Sequence, residues 1–334
     1  MRRFMKHGFS SANLKNADRF LSVPYTLRRE SNQLCGMLCG VIAAMYLFSF
    51  ALQWILFAIG YQKTPSTEFS AILNYLLIGS VSMLSILLPA VIFMAALRIK
   101  PAQILVCNSV KPCVGFAVFW ICAAVCLLAN IPASIIAAFL EGIGLQGSSG
   151  TLPGVTSVSG GIVSFLAMAV VPPFVEEFLF RGLLMSKFRK FGDGFAVIAT
   201  AFLFGLMHHN ISQMVFAFIC GMALGMALVK TNNIWIPVAI HMFVNGFSVL
   251  LSLIQTQTEN TMIYASVFYL VLLSTVFCAL LAILYLLLSK YPLPRLQPGV
   301  LAVASALGNL FANPCTIIFT VACAGLTLAN LGVF

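Results

Sequence analysis

Apolar runs of about 20 residues recur along the whole chain, and this is the length that an α-helix needs to cross a bilayer. Of the 334 residues, 61% are hydrophobic and 8% are charged, and the mean hydropathy is +1.04. This composition excludes an ordinary soluble domain, and runs of this length indicate helices rather than barrel strands. The sequence predicts an all-α fold, a polytopic transmembrane helix bundle with about eight or nine spans. We expect these spans near residues 34–60, 69–97, 114–140, 161–185, 194–209, 212–229, 234–254 and 262–288, with a ninth near 313–332 that Asn313-Pro314 interrupts at its start.

The basic residues are placed on one predicted side of the membrane. The net charge is +10, seven of the 18 Lys and Arg precede Asn32, and the predicted outer loops receive only Lys63. This is the positive-inside pattern, which sets orientation and does not indicate a nucleic-acid partner. We therefore expect a multi-pass protein with a cytoplasmic N-terminus, surrounded by membrane lipid. Short loops favour a bacterial cell membrane over the endoplasmic reticulum.

One apolar stretch, from Pro172 to Gly182, contains two adjacent carboxylates and an arginine. Ionisable groups at membrane depth are expensive, and they mark a functional site by default. Glu177 and Arg181 are four residues apart, so they share a helix face and can form a structural ion pair. Glu176 is turned by about 100° from Glu177 on a helix, so we predict that it serves as the working carboxylate.

Two later predicted spans carry the other polar groups. The first ends in Phe204-Gly-Leu-Met-His208-His209, and adjacent histidines on a helix cannot both face one site. The second holds His241 and Asn245, which share a face. That pair alone would favour an interhelical hydrogen bond. Three helices that each bring a polar face favour an active site, and we expect a water-filled cavity to reach it from the cytoplasm.

Three motifs in order resemble the signatures of the CPBP family, the CAAX proteases and bacteriocin-processing enzymes, also called the abortive-infection family. They are Glu176-Glu177-x-x-x-Arg181, Phe204-x-x-x-His208 and His241-x-x-x-Asn245. The resemblance covers about residues 160–250 and implies an intramembrane endopeptidase similar to the type II CAAX prenyl endopeptidases. By this resemblance Glu176 and His208 activate the attacking water, while His241 and Asn245 polarise the scissile carbonyl and hold the oxyanion.

The resemblance also suggests a division of the chain. Residues 1–33 are the basic cytoplasmic segment, 34–159 hold accessory transmembrane helices, 160–254 form the catalytic CPBP-like core, and 255–334 hold the C-terminal transmembrane helices. The expected substrate is a membrane-associated protein or peptide, including a lipidated one. An ion or proton-coupled transporter and a non-catalytic immunity or scaffold protein with the same fold remain alternatives.

The same residues permit two catalytic devices. Glu176, His208 and His241 could form a His₂Glu zinc site, a common catalytic set. However, HExxH is absent, and few neighbouring polar side chains could orient metal-bound imidazoles. We therefore favour a glutamate-type protease without a cofactor, and Zn²⁺ is the alternative. The ten cysteines include no CxxC and mostly fall inside apolar runs, so they behave as small apolar residues.

Overall fold

The computed structural model describes the backbone of residues 11–58, 68–147, 155–258 and 260–332, and side chains from residue 22 onward in those ranges. Their regular structure is helical, apart from an isolated bridge between Cys107 and Asn233 and a few short turns. The helices are α1 (Ser11–Ala58), α2 (Glu68–Ala96), α3 (Pro112–Leu128), α4 (Asn130–Gly142), α5 (Val158–Phe191), α6 (Asp193–Leu206), α7 (Ile211–Thr231), α8 (Trp235–Thr258), α9 (Thr261–Ser289), α10 (Val303–Phe311) and α11 (Pro314–Asn330).

The predicted fold class, a polytopic helical bundle, is confirmed. In the described ranges seven helical segments are long and apolar enough to cross a membrane, with α3 and α4 counted as one, and α10 with α11 makes an eighth if the bent pair is one span. The fifth predicted span is shorter than expected. Its helix α6 has 14 residues, about 21 Å against a hydrocarbon core of about 30 Å.

Asn313-Pro314 starts the last helix. The Asn313 side chain accepts a hydrogen bond from the backbone N–H of Thr316, and Pro314 occupies the first helical position, where its missing N–H is harmless. Helix α10 meets α11 at 80°. The side chain of Asn309 in α10 accepts a bond from Arg28 of α1, so α10 lies across the end of the bundle from which α11 departs.

The basic loops lie together at one end of the bundle, called here the basic end. Arg189 donates to Asn232, whose carbonyl accepts from the backbone N–H of Asn108. Lys230 donates to the carbonyl of Pro294, and Lys190 forms an ion pair with Glu30 of α1. The structure thus joins at one end the loops for which the sequence predicted a shared side. Helix α1 is continuous through residue 33, so it contains both the end of the predicted basic segment and the first predicted span, and residues 1–10 lie outside the described ranges.

The opposite end, called here the far end, is held by a separate set of contacts. Glu68 accepts from Thr156, and Gln257 donates to the carbonyl of Thr156. Ser212, at the start of α7, donates to the carbonyl of Gly147. Helix α6 therefore leads from the basic end to the far end despite its short length. Residues 144–160 contain no Lys or Arg, so the sequence predicts that they lie on the outer side; the structure describes them only to residue 147 and from residue 155.

Candidate active site

Two prolines interrupt the regular helix of α5 one turn before the glutamates. Pro172 and Pro173 cannot donate a backbone hydrogen bond, and their rings displace the carbonyls four residues earlier. The helix widens into a π-helical turn over Leu166–Val170, and a second such turn covers Phe178–Leu184. The Met168 carbonyl, which faces the proline break, accepts a hydrogen bond from the Asn245 side chain at 3.2 Å. Asn245 thus ties α8 to this point of α5.

Arg181 is completely buried and has three partners. Its Nη1 atom lies 2.9 Å from Oε1 of Glu177, and Nη2 donates to the Gly221 carbonyl at 3.1 Å. Its guanidinium carbon lies 4.9 Å from the centre of the Phe204 ring, an attractive cation–π distance. The structure therefore contains the Glu177–Arg181 contact expected from the i, i+4 spacing. Arg181 also links α5 to α6 and α7.

Gly221 allows α7 to pack closely against α6. A Cβ atom at Gly221 would lie 2.9 Å from Cα of Ala201, closer than real Cβ contacts, and one at Gly225 would press on Val197. Both glycines of Gly221-x-x-x-Gly225 therefore face α6. This is close helix packing through small residues, within the fold itself.

His241 lies between the two glutamates. Its Nδ1 atom is 2.9 Å from Oε1 of Glu177, and its Nε2 atom is 3.7 Å from Oε2 of Glu176. Glu176 keeps 21% of its side chain exposed, whereas Glu177 has none. The two carboxylates do point apart, as the helical spacing predicted. However, Glu177 is not only an ion-pair partner, because it also orients the imidazole of His241.

His208 lies in the turn that follows α6 and is oriented by a backbone carbonyl of that helix. Its Nδ1 atom lies 2.9 Å from the Phe204 carbonyl, which fixes the proton on Nδ1 and leaves Nε2 free to accept. The Phe204 ring contacts His208 and His241 edge to face, with ring centres 4.9 and 5.8 Å apart. His209 has a left-handed backbone, with φ of 51°, and lies after the turn that follows α6. Its carbonyl accepts from Asn330 at the far end, and it does not line the cavity.

All four expected catalytic side chains, those of Glu176, His208, His241 and Asn245, line one cavity of about 220 Å³. Further polar groups on its wall are those of Ser82, Gln213, Cys126 and Cys220, none of which belongs to the three motifs. No pattern in the sequence marked Ser82, because α2 is an apolar helix with several scattered serines. Helices α2 and α3, outside the family-like segment, thus complete the wall.

The donor geometry bears on the choice between metal and metal-free chemistry. In the part of the chain that the structure describes, no group of three or more His, Cys, Asp or Glu side chains is arranged to hold a metal ion. The expectation that orienting partners are scarce is wrong, however. Glu177 orients His241, and the Phe204 carbonyl orients His208.

Comparison with known proteins supports the motif-based recognition. Residues 158–247 match the model of the family "Type II CAAX prenyl endopeptidase Rce1-like". The chain is 24% identical over 202 residues to the Bacillus subtilis protein named "Putative membrane peptidase YdiL", a match that covers 60% of this chain and 81% of that one. It is 25% identical over 97 residues to "Membrane-embedded CAAX protease MroQ" of Staphylococcus aureus, covering 27% of this chain and 39% of the other. No solved structure matches significantly. The recognition is therefore confirmed: residues 158–247 of this multi-pass membrane protein carry the sequence pattern of the Rce1-like protease family.

Proposed function

We propose that the protein is an intramembrane endopeptidase that hydrolyses a peptide bond of a membrane-associated protein or peptide, including a lipidated one. The proposal rests on one observation. The side chains of Glu176, His208, His241 and Asn245 come from three separate stretches of chain and line the same cavity. A purely structural network would bury and satisfy its carboxylates, whereas Glu176 stays partly exposed beside Nε2 of His241. The similarity of residues 158–247 to a peptidase family supports the same conclusion.

In the proposed mechanism Glu176 is the general base. It takes a proton from a water molecule whose oxygen attacks the scissile carbonyl carbon, and it returns the proton to the leaving nitrogen as the C–N bond breaks. The free Nε2 of His208 accepts a hydrogen bond from the same water and orients it. Such positioning is effective because it fixes the attacking geometry before the reaction.

His241 and Asn245 stabilise the developing oxyanion. Glu177, anchored by Arg181, accepts a hydrogen bond from Nδ1–H of His241, and in the imidazolium form Nε2 of His241 also carries an N–H, which it donates to the oxyanion in the cavity. One N–H of the Asn245 amide is used by the Met168 carbonyl, and the amide has a second N–H to offer. Donors fixed in a dry site are strong electrostatic catalysts, because they need no reorganisation during the reaction. Glu177 is a positioning residue in this scheme.

We further propose that the chemistry needs no metal. The scheme assigns a role to each residue of the His₂Glu set, and the spacing of these side chains in the described structure favours a shared water over direct coordination. The proposed location is a bacterial cell membrane, with the N-terminus and the basic end in the cytoplasm. Both curated relatives are bacterial, which supports this location.

The function is tested by incubating the purified full-length protein, in lipid, with prenylated and acylated peptides and with their unlipidated counterparts. We expect cleavage of at least one lipid-anchored peptide, and loss of about 10²–10⁴-fold in Glu176→Ala, the usual contribution of a general base. Glu141→Ala is the matched control, because Glu141 is exposed and remote in sequence from the motifs. Cleavage by Glu176→Ala at the wild-type rate would refute the assignment, and no cleavage by the wild type would favour a non-catalytic protein.

A further inference from the structure

A groove between α3 and α9 opens toward the lipid near the basic end. The two helices pack together, and the small buried residues Ala117 and Ala282 form the floor of the groove. Phe116 and Trp120 of α3 and Tyr285 of α9 form its walls. The groove is apolar and has a volume of about 510 Å³. Both helices lie outside the segment that matches the protease family, so the groove is separate from the catalytic core.

The groove extends through most of one leaflet. Pro112, at the start of α3, and Trp120 both line it, and they are eight residues apart, a rise of about 12 Å. One leaflet contributes half of a hydrocarbon core of about 30 Å. Phe116 and Leu281 expose half or more of their surface in the groove, so its apolar side chains are not covered by protein. Lipid tails contact apolar helix surfaces everywhere in a bilayer, so selection of one lipid must come from the charge at the rim.

The rim of the groove at the basic end is positively charged. Lys111 precedes α3 and Lys290 follows α9, and both are exposed. The Nζ atom of Lys111 lies 5.2 Å from the centre of the Tyr291 ring, so a cation–π contact holds this ammonium beside the end of α9. Tyr285, on the groove wall, lies close enough to Tyr291 to interact with it electrostatically. Lys111 is therefore placed at the mouth of the groove.

No carboxylate neutralises this charge in the described part of the chain. Glu30 and Asp193, at the basic end, are already paired with other basic residues. Lys111 and Lys290 form no ion pair with any described residue. The start of α3 adds to the positive potential, because it has no side-chain cap and the backbone N–H of Cys113 donates to no described group. The partial positive charge at a helix start favours an anion such as a phosphate.

We propose that the groove between α3 and α9 binds an anionic phospholipid of the leaflet at the basic end. One acyl chain lies between Phe116, Trp120 and Tyr285, and the phosphate lies beside Lys111 and Lys290. Basic pockets between transmembrane helices bind anionic lipid headgroups in this way. The site does not depend on the proposed protease chemistry, because none of the proposed catalytic residues lines it.

The first test uses Trp120 as a reporter, because it is half-buried in the groove wall. The chain has three tryptophans, so variants of the full-length protein that keep only Trp120 or only Trp235 are made with phenylalanine at the other two positions. Each is placed in phosphatidylcholine vesicles that contain a minor fraction of brominated phosphatidylglycerol or brominated phosphatidylcholine. Bromine on an acyl chain quenches a tryptophan that it contacts. Trp235 is the matched control, because it is exposed at the start of α8 near the basic end but does not line the groove.

We expect the apparent affinity at Trp120 to be at least about fivefold higher for the anionic lipid, the effect of about one lysine at a membrane surface. Quenching of Trp235 should be equal for the two lipids. Equal quenching of Trp120 by the two lipids would overturn the proposal, because the groove would then hold ordinary surrounding lipid. Absence of quenching of Trp120 by either lipid would also overturn it, because another occupant, such as a second copy of the chain, would cover the groove.

The second test removes the charge at the rim. Lys111→Gln in the protein that keeps only Trp120 should lower the preference for the anionic lipid about fivefold. Lys100→Gln is the matched control, because Lys100 is exposed at the same end but does not adjoin the groove, and the change in charge is the same. An equal loss in the two variants would show diffuse attraction to the basic end rather than a site, and an unchanged preference in Lys111→Gln would refute the headgroup assignment.

The third test fills the groove. Cys278 lines it midway along α9, and Leu280 is exposed on another face of the same helix. Cys278→Phe should reduce the preference at Trp120 for the anionic lipid several-fold, whereas Leu280→Phe should keep it. Both are checked for folding by size-exclusion chromatography. If folded Cys278→Phe keeps the full preference, no acyl chain occupies the groove and the proposal fails.

Discussion

Glu176 and Glu177 are neighbours in the chain with different surroundings. Glu177 has no exposed surface and bonds to Arg181 and His241, whereas Glu176 faces the cavity. Replacing Glu177 by Gln leaves the buried Arg181 without its charge partner, a loss of roughly 3–5 kcal/mol when such a pair is broken. Replacing Glu176 removes the proposed base but no buried ion pair. Their substitutions should therefore have different consequences.

We expect Glu177→Gln to reduce the yield of folded protein strongly and Glu176→Gln to keep near-normal yield without turnover. Yield is measured as monodisperse protein after size-exclusion chromatography, and turnover is measured per folded molecule. The Glu177→Gln protein that does fold should also turn over slowly, because His241 has lost its orienting partner. Normal folding of Glu177→Gln combined with poor folding of Glu176→Gln would contradict the structure.

Part of this site could be predicted from the sequence, because the relevant geometry lies within one helix. The i, i+4 spacing is enough to pair Glu177 with Arg181 and to turn Glu176 away. The contact between Glu177 and His241 could not be predicted, because it depends on the relative rotation of α5 and α8. The hydrogen bond from the Asn245 side chain to the Met168 carbonyl could not be predicted from the sequence for the same reason. Pro172 and Pro173 indicate that nearby backbone carbonyls lose their helical hydrogen bonds, but they do not indicate which side chain donates to those carbonyls.

The metal-free proposal gives a prediction at the same scale. Purified protein should contain far less than one zinc per chain by elemental analysis, and its activity should survive exhaustive chelation. The physical reason is that Glu176, His208 and His241 each have a proposed role toward the water or the carbonyl without a shared ion. Stoichiometric zinc, with activity lost on chelation and restored by zinc alone, would show that the same residues form a metalloprotease.

At the scale of elements, the close contact of α6 with α7 places the Gly221 carbonyl where Arg181 can donate a hydrogen bond to it. We expect Gly221→Ala to destabilise the protein by about 1–3 kcal/mol, the range for overpacking, because its Cβ would press on the Ala201 backbone at 2.9 Å. Gly325→Ala in α11 is the matched control, since nothing lies within 4 Å of its Cβ and alanine is the better helix former. Thermal unfolding in detergent measures both. An unchanged midpoint for Gly221→Ala would argue against the close contact.

Element boundaries were predictable where a local signal existed. Apolar length located the long helices, and Asn210 caps α7 by accepting a hydrogen bond from the backbone N–H of Gln213. Asn313-Pro314 was interpreted as an interruption, although an Asn cap followed by Pro is also a helix start. The π-helical turns of α5 were not predictable, because the sequence predicts a break at proline without specifying how the chain accommodates it.

For the whole molecule, the one-sided basic residues and the shared basic end predict the topology. Gln146→Cys, exposed next to the far-end contacts, should be labelled only from outside the cell by an impermeant maleimide, and the native Cys107 only from the cytoplasm. Ser148, in the same predicted outer segment, lies outside the described residues. Labelling of Gln146→Cys from the cytoplasm alone would invert the proposed orientation.

The number of long membrane-spanning helices was harder to predict from the sequence than the fold class. The hydropathy of α6 is high enough for a membrane span, but its 14 residues are fewer than an isolated helix needs to cross the bilayer. Packing compensates, because α6 is buried along most of its length by α7, α5 and α10 and needs no lipid contact of its own. Such tertiary shielding cannot be predicted from composition.

The pairing of Glu177 with Arg181 inside one helix has a consequence for biogenesis. A helix enters the bilayer before its neighbours have packed around it, so Arg181 must be neutralised by a residue that arrives with it. Glu177 does so, and the carbonyl of Gly221 and the imidazole of His241 join only when α7 and α8 have been inserted. In a translocon insertion assay of the isolated α5 segment, Glu177→Gln should therefore lower the inserted fraction, and adding Arg181→Met should restore it. Equal insertion of all three segments would show that the pair matters only in the finished fold.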